Sequence, residues 1–233
     1  MVLFCFCTRL ICAQEWTLEN EYLCISIASD DGRILQIENR FTSQRLISDT
    51  PSQPPIAVLL NEPLQLSSDI KAFSLKKIGE NNIELRWSTI ESIEIVATVF
   101  LDGDRVSFVS NATNSGLRTL LGFRYPVIDG TKTLGVDGQD DRLLHSAMMG
   151  VVFKNPSELF VGDSQNPLER GLVVSRYPNG FHGSATQLFA FYEQNVGGFY
   201  FACEDAKATD KDLNFFETPN RTLALDRTAG FEI

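Results

Sequence analysis

The sequence predicts an all-β protein, a large antiparallel sandwich of two sheets, on three observations. Short runs of alternating apolar residues recur at hairpin spacing, the turns between them carry Gly, Asn and Asp, and no window has the apolar period of a long amphipathic helix. Asp141–Gly150 is the one short helical candidate, and no repeat of solenoid or propeller type is visible.

The elements follow in order. Met1–Ala13 is apolar and too short to span a bilayer as a helix. It ends at Cys12-Ala13-Gln14, small enough for signal-peptidase cleavage, although Arg9 lies inside the apolar stretch where a leader carries its charge ahead of it. The expectation is an export leader over 1–13, a single sandwich domain over 14–233 and a secreted or periplasmic location; a buried N-terminal strand is the alternative. Tyr22–Ala28 and Arg33–Glu38 flank Asp30-Asp31-Gly32, a turn that supplies the positive φ a tight hairpin needs. Pro51-Ser-Gln-Pro-Pro55 reads as an edge loop, because proline has no donor for a ladder. Ala72–Ile78 and Ile83–Ser88 flank Gly79-Glu-Asn-Asn82, and Ile93–Leu101 and Arg105–Ser110 flank Asp102-Gly103-Asp104. In the last pair both faces of the first strand are apolar, as in a central strand. Further strands are predicted at Ile56–Leu60, Leu120–Tyr125, Leu172–Ser175, Gln187–Tyr192, Gly198–Ala202, Leu213–Glu217 and Thr222–Leu225.

Composition narrows the function. The chain has 233 residues, 43% of them hydrophobic and 21% charged, with a formal net charge of −10, which opposes binding to nucleic acid or to anionic lipid. Two histidines and no CxxC pattern make a zinc site improbable, and nothing implies a cofactor or a membrane span. Without the leader two cysteines remain, Cys24 and Cys203, free to pair in an oxidising compartment or to sit buried on strands.

The richest stretch is Tyr177-Pro-Asn-Gly-Phe-His-Gly183, leading into Gln187–Tyr192 and then Gly197-Gly-Phe-Tyr-Phe-Ala-Cys-Glu-Asp205. A turn, two aromatic strands and a charged loop are expected to form a rim hairpin exposing Tyr, His, Gln and Asp together. Flat rings for C–H groups and polar groups for hydroxyls suit a carbohydrate. The candidate ligand contacts are Tyr177, Phe181, His182, Gln187, Tyr200, Asp205 and Lys211. The competing reading places the same aromatics in an ordinary core hairpin.

With these residues in view, the chain resembles the N-terminal module of large bacterial glycoside hydrolases related to α-galactosidase and endo-α-N-acetylgalactosaminidase enzymes. The resemblance rests on Thr17-Leu-Glu-Asn20, Asp141-Arg-Leu-Leu-His-Ser146, Asn155-Pro156, Tyr177-Pro-Asn-Gly180, Gln187, Gly197-Gly198 and the D-x5-K spacing of Asp205 and Lys211. It implies a galactose-mutarotase-like supersandwich that braces a C-terminal catalytic (β/α)8 barrel of the same polypeptide, and it places the reacting carboxyls on that barrel. On this expectation the chain, which stops at Phe231-Glu-Ile233, is a fragment or a separated front module with no catalytic residue of its own.

Bond-breaking chemistry within the chain is weighed separately. Asp140-Asp141 reads as a solvated turn or a helix N-cap, and Glu204-Asp205 has the better claim to a rim. His145, His182 and Glu217 are the residue types an aldose 1-epimerase uses as acid and base, with His145 expected half-buried and His182 exposed. Lys207 and Lys211 are expected to be solvated or paired with nearby carboxylates. Asp102-Gly-Asp104 lacks the oxygens of a calcium loop, and Asn111-Ala-Thr113 and Asn220-Arg-Thr222 match the glycosylation acceptor pattern. A free-standing carbohydrate-binding module and, less favoured, an epimerase stand as alternatives to the hydrolase module.

Overall fold

A computed structural model describes residues 15–47, 51–61, 63–131, 134, 140–147, 150–156, 173–178, 184–194, 196–216 and 222–228. The elements bounded within the described residues are all β-strands, and every strand pairing among them is antiparallel. The chain is an antiparallel β-sandwich whose strands fall into four hydrogen-bonded groups.

The first group is β1 (Glu15–Glu19), β2 (Leu23–Ala28), β3 (Ile34–Asn39) and β4 (Gln44–Arg45), in sequence order. The second runs β10 (Arg105–Asn114), β9 (Ile93–Asp102), β8 (Asn82–Thr89), β7 (Ile70–Lys77). A third, in the order β14, β17, β18, β11, β5, β6, is built from β5 (Ala57–Leu60), β6 (Gln65–Ser67), β11 (Leu120–Asp129), β14 (Val173–Tyr177), β17 (Lys211–Phe216) and β18 (Thr222–Thr228). The fourth is β13 (Val151–Lys154), β12 (Asp141–Ala147), β15 (Ser184–Glu193), β16 (Gly197–Ala202).

Alternation builds the core. Along β9, Ile93, Ile95, Ala97, Val99 and Leu101 are buried while the residues between them stay half-exposed. Their neighbours on β8, Ile83, Leu85 and Trp87, are fully buried opposite Val99, Ala97 and Ile95. Period two on both strands places one continuous apolar face inside.

Trp87 is the hub. Its indole N–H donates to the Asp31 carbonyl at 2.7 Å, and its ring lies 5.5 Å from Phe73 and 5.3 Å from Tyr125. Gly32, in the turn beside Asp31, has φ +81°, and a Cβ there would lie 2.7 Å from both Phe73 and Trp87. The Asp30-Asp31-Gly32 turn is therefore packed directly onto the aromatic core, and glycine is required there for conformation and for space.

Buried carboxylates pin two loops. Asp129 accepts the backbone N–H groups of Ser52 and Gln53, the latter at 2.8 Å, fastening the proline-rich loop to β11. Asp141 accepts the Leu134 N–H at 3.2 Å.

The last contact corrects two expectations. The predicted helix over Asp141–Gly150 is replaced through Ala147 by β12, paired with β13 on one side and β15 on the other. Asp141, Leu143 and His145 face inward and Arg142, Leu144 and Ser146 do not, a two-residue period that the Leu-Leu pair disguises. Asp141 is accordingly buried, not part of a solvated turn, while its neighbour Asp140 is exposed and lies 3.8 Å from Arg142.

Cys24 is a free, half-buried thiol, so no Cys24–Cys203 disulfide forms. Burial, with Glu19 and Glu38 nearby, pushes its pKa up. No helix among the described residues is long and apolar enough to cross a membrane. Trp87→Ala is expected to lower stability by about 3–5 kcal/mol in urea unfolding, since it removes the ring on which the first turn, β7 and β11 converge.

Candidate functional site

Four of the sequence-predicted contacts meet at one point. Lys211, the first residue of β17, stands opposite Tyr177, the last residue of β14, and its Nζ lies 5.0 Å from the Tyr177 ring centroid. That Nζ donates to Gln187 Oε1 at 2.6 Å and to Asp205 Oδ2 at 2.9 Å. The lysine is 2% exposed. A buried ammonium persists only with acceptors in reach, and here a carboxylate, an amide oxygen and an aromatic face surround it.

Gln187, on β15, works in both directions. Its Nε2 donates to the Asp205 carbonyl at 3.1 Å, and its own carbonyl accepts the Cys203 N–H at 2.8 Å. Asp205 then folds the following loop around its carboxylate. Oδ1 accepts the Lys207 N–H at 2.9 Å, and Oδ2 accepts the Thr209 N–H at 2.8 Å and the Thr209 hydroxyl. Ala208 takes φ +53° inside this turn and donates its N–H to the Asp205 carbonyl. Burial by itself works to raise the Asp205 pKa, but the bonds from Thr209, Lys211 and Lys207 outweigh it and hold the carboxyl well below its ordinary 3.8.

The loop so shaped forms one end of an open cleft of about 2120 Å³ between β10 and β16. Register separates the cleft into two levels. Val106, Phe108 and Ala112 stand opposite the buried Leu101, Val99 and Ile95, while Phe199 and Phe201 stand opposite Phe191 and Phe189, so these five line the inner, apolar level. Ser107, Val109, Asn111, Thr113 and Tyr200 alternate with them and form an outer lip, polar except at the exposed Val109. Tyr200 is 65% exposed there. At the loop end Arg105 reaches across to Glu204 at 3.4 Å, an exposed ion pair worth little energy that nonetheless joins the two walls.

The structure thus joins Tyr177, Gln187, Asp205 and Lys211 and sets Tyr200 apart on the lip; Phe181, His182 and Glu217 lie outside the described residues. His145 is not half-exposed but buried on β12, 6.4 Å from the Phe153 ring, and burial lowers its pKa. Sequence reasoning passed over Arg105, the lip face of β10, and Thr209. Only Thr209 left a local signal, a hydroxyl four residues after an aspartate that opens a turn.

No protein-family model matches the chain, and no curated protein matches it. Solved structures do. The galactose mutarotase related enzyme from Lactobacillus acidophilus superposes with a TM-score of 0.58 at 8% identity, over 93% of this chain and 86% of that one. The fold is galactose-mutarotase-like. A galactose mutarotase-like protein from Lactobacillus casei gives the same TM-score of 0.58 at 11% identity, over 93% of this chain and 88% of its own.

Lys211→Met strands the Asp205 carboxylate and is expected to cost about 3–5 kcal/mol in denaturant unfolding. The pH dependence has a defined sign. A depressed folded pKa adds stability that is complete above the unfolded value and fades as acid carries the carboxylate through its lower folded value. Removing the lysine raises that folded value, so the variant should lose less stability than the parent between about pH 6 and about pH 3.

Proposed function

We propose that this chain is a non-catalytic, carbohydrate-binding β-sandwich from a glycoside hydrolase, with its sugar platform on the outer lip of the cleft. One observation carries the reading. Gln187, Asp205 and Lys211, the residues behind the hydrolase resemblance, bond to one another around a buried ammonium. Groups saturated in this way shape a wall; they do not exchange protons with a substrate. Their product is a hydrogen-bonded loop that presents Glu204 and Lys207 to the cleft beside Tyr200.

The lip has the parts sugar recognition needs. Tyr200 offers an exposed ring for the apolar face of a pyranose, and Asn111, Ser107 and Thr113 offer hydroxyl and amide partners opposite it. Glycoside cleavage would then be left to a barrel in the parent enzyme, where two carboxyls flank the scissile bond. The apolar leader is consistent with delivery to the periplasm or beyond.

An epimerase reading draws support from the shared fold, but fold alone does not carry activity. Anomer exchange needs a proton donor and an acceptor across the ring. At the loop end of this cleft Arg105 is paired with Glu204 and Asp205 with Lys211.

Calorimetric titration of the chain with galactosides, alongside polarimetry of galactose anomers, separates the readings. The expected result is saturable binding, weakened roughly tenfold in Tyr200→Ala, with no acceleration of anomer exchange. Accelerated exchange that disappears in His182→Ala would make the chain an epimerase instead.

A further inference from the structure

Exposed apolar side chains are sorted by kind over the described surface. The exposed aromatics are Tyr22, Phe41, Tyr192 and Tyr200, and all but Tyr192 line the cleft. The exposed aliphatics behave in the opposite way: Leu64, Leu66, Ile78, Ile90, Leu117 and Val152 lie off the cleft, and Val109 lines it. A groove built for an aliphatic partner would gather leucine and isoleucine. Flat rings beside polar groups suit the C–H face and the hydroxyls of a pyranose.

Tyr22 and Phe41 rise from turns fastened to the cleft wall. Asn20 Oδ1 accepts the N–H groups of Tyr22 and Leu23 at 2.9 and 2.8 Å, and Asn39 Oδ1 accepts those of Phe41 and Thr42 at 3.0 and 3.2 Å. Arg40 joins the two turns, donating its backbone N–H to the Tyr22 carbonyl at 2.7 Å and its guanidinium to the Asn20 carbonyl at 3.0 Å. Asn20 Nδ2 in turn donates to the Gly103 carbonyl at 2.7 Å, which sets the first of these turns beside the start of β10.

Tyr200 belongs to another stretch of wall. The start of β16 abuts β4, since a Cβ on Gly197 would lie 3.0 Å from Gln44 Oε1. Tyr200 follows three residues later, about 10 Å along the strand. A pyranose has two faces, so three rings carried on two turns and a strand call for more than one sugar unit.

We infer that the cleft binds an oligosaccharide along its length, one unit stacking on Tyr200 and others on Tyr22 and Phe41, with Asn39 and Gln44 beside them for hydroxyls. The inference rests on the sugar reading above and extends it from a single ring to a chain.

Calorimetric titration of the whole chain with galactose and with galacto-oligosaccharides of two, three and four units is the test. Affinity is expected to rise at least roughly tenfold from galactose to the trisaccharide, because the added units reach rings that the first cannot. Tyr22→Ala and Phe41→Ala combined, both at exposed positions, should remove most of that gain with an unaltered circular dichroism spectrum. Leu117→Ala, exposed but off the cleft, should leave the gain intact. Galactose binding with no gain on lengthening would overturn the inference and leave the sugar reading standing. A gain that survives the combined substitution would overturn it as well. Failure of all four sugars to bind would overturn both.

Discussion

An ammonium group removed from water has to be surrounded by acceptors, and one end of the cleft in this protein is organised around meeting that requirement at Lys211. The lysine opens β17 and lies against Tyr177 at the end of β14. Its two hydrogen bonds recruit Gln187 from the middle of β15 and Asp205 from the loop after β16. One buried charge thereby ties the third hydrogen-bonded group of strands to the fourth. Because Asp205 also accepts from Lys207 and Thr209, the tie extends into the loop and sets the shape of the cleft end.

The remaining architecture divides the work. At the Trp87 hub, the turn at Gly32 and the rings of Phe73 and Tyr125 close the core by contact and by the indole hydrogen bond to Asp31. That interior is apolar and gains stability from burial in the ordinary way. The cleft is different: its inner level continues the core, its outer level carries polar residues on both sides of Val109, and the exposed Arg105–Glu204 pair reaches from one wall to the other.

Much of this was legible in the residues. Asp30-Asp31-Gly32 and Asp102-Gly103-Asp104 announce their hairpins because a positive φ in a two-strand turn favours a glycine, and Gly32 and Gly103 both adopt it. The aromatic strands β15 and β16 were visible for the same local reason. β4 and β6, with two and three residues, are too short to show a period, and β12 hid behind Leu143-Leu144. The cluster was legible in membership but not in direction. Tyr177, Gln187, Asp205 and Lys211 read as one group, and the structure joins them around the buried lysine, a bonding pattern that depends on whether water reaches the ammonium. The β10 lip was illegible on any local rule, since its role comes from lying across a cleft from a strand some ninety residues later.

The most direct measurement is residue-resolved hydrogen exchange on the native chain and on Lys211→Met. If the buried ammonium organises the cleft wall, the amides of Lys207 and Thr209 lose their protection in the variant while those of β8 and β9 keep theirs. Unchanged protection at Lys207 and Thr209 would contradict the account, and would mean that the loop holds its shape without the lysine.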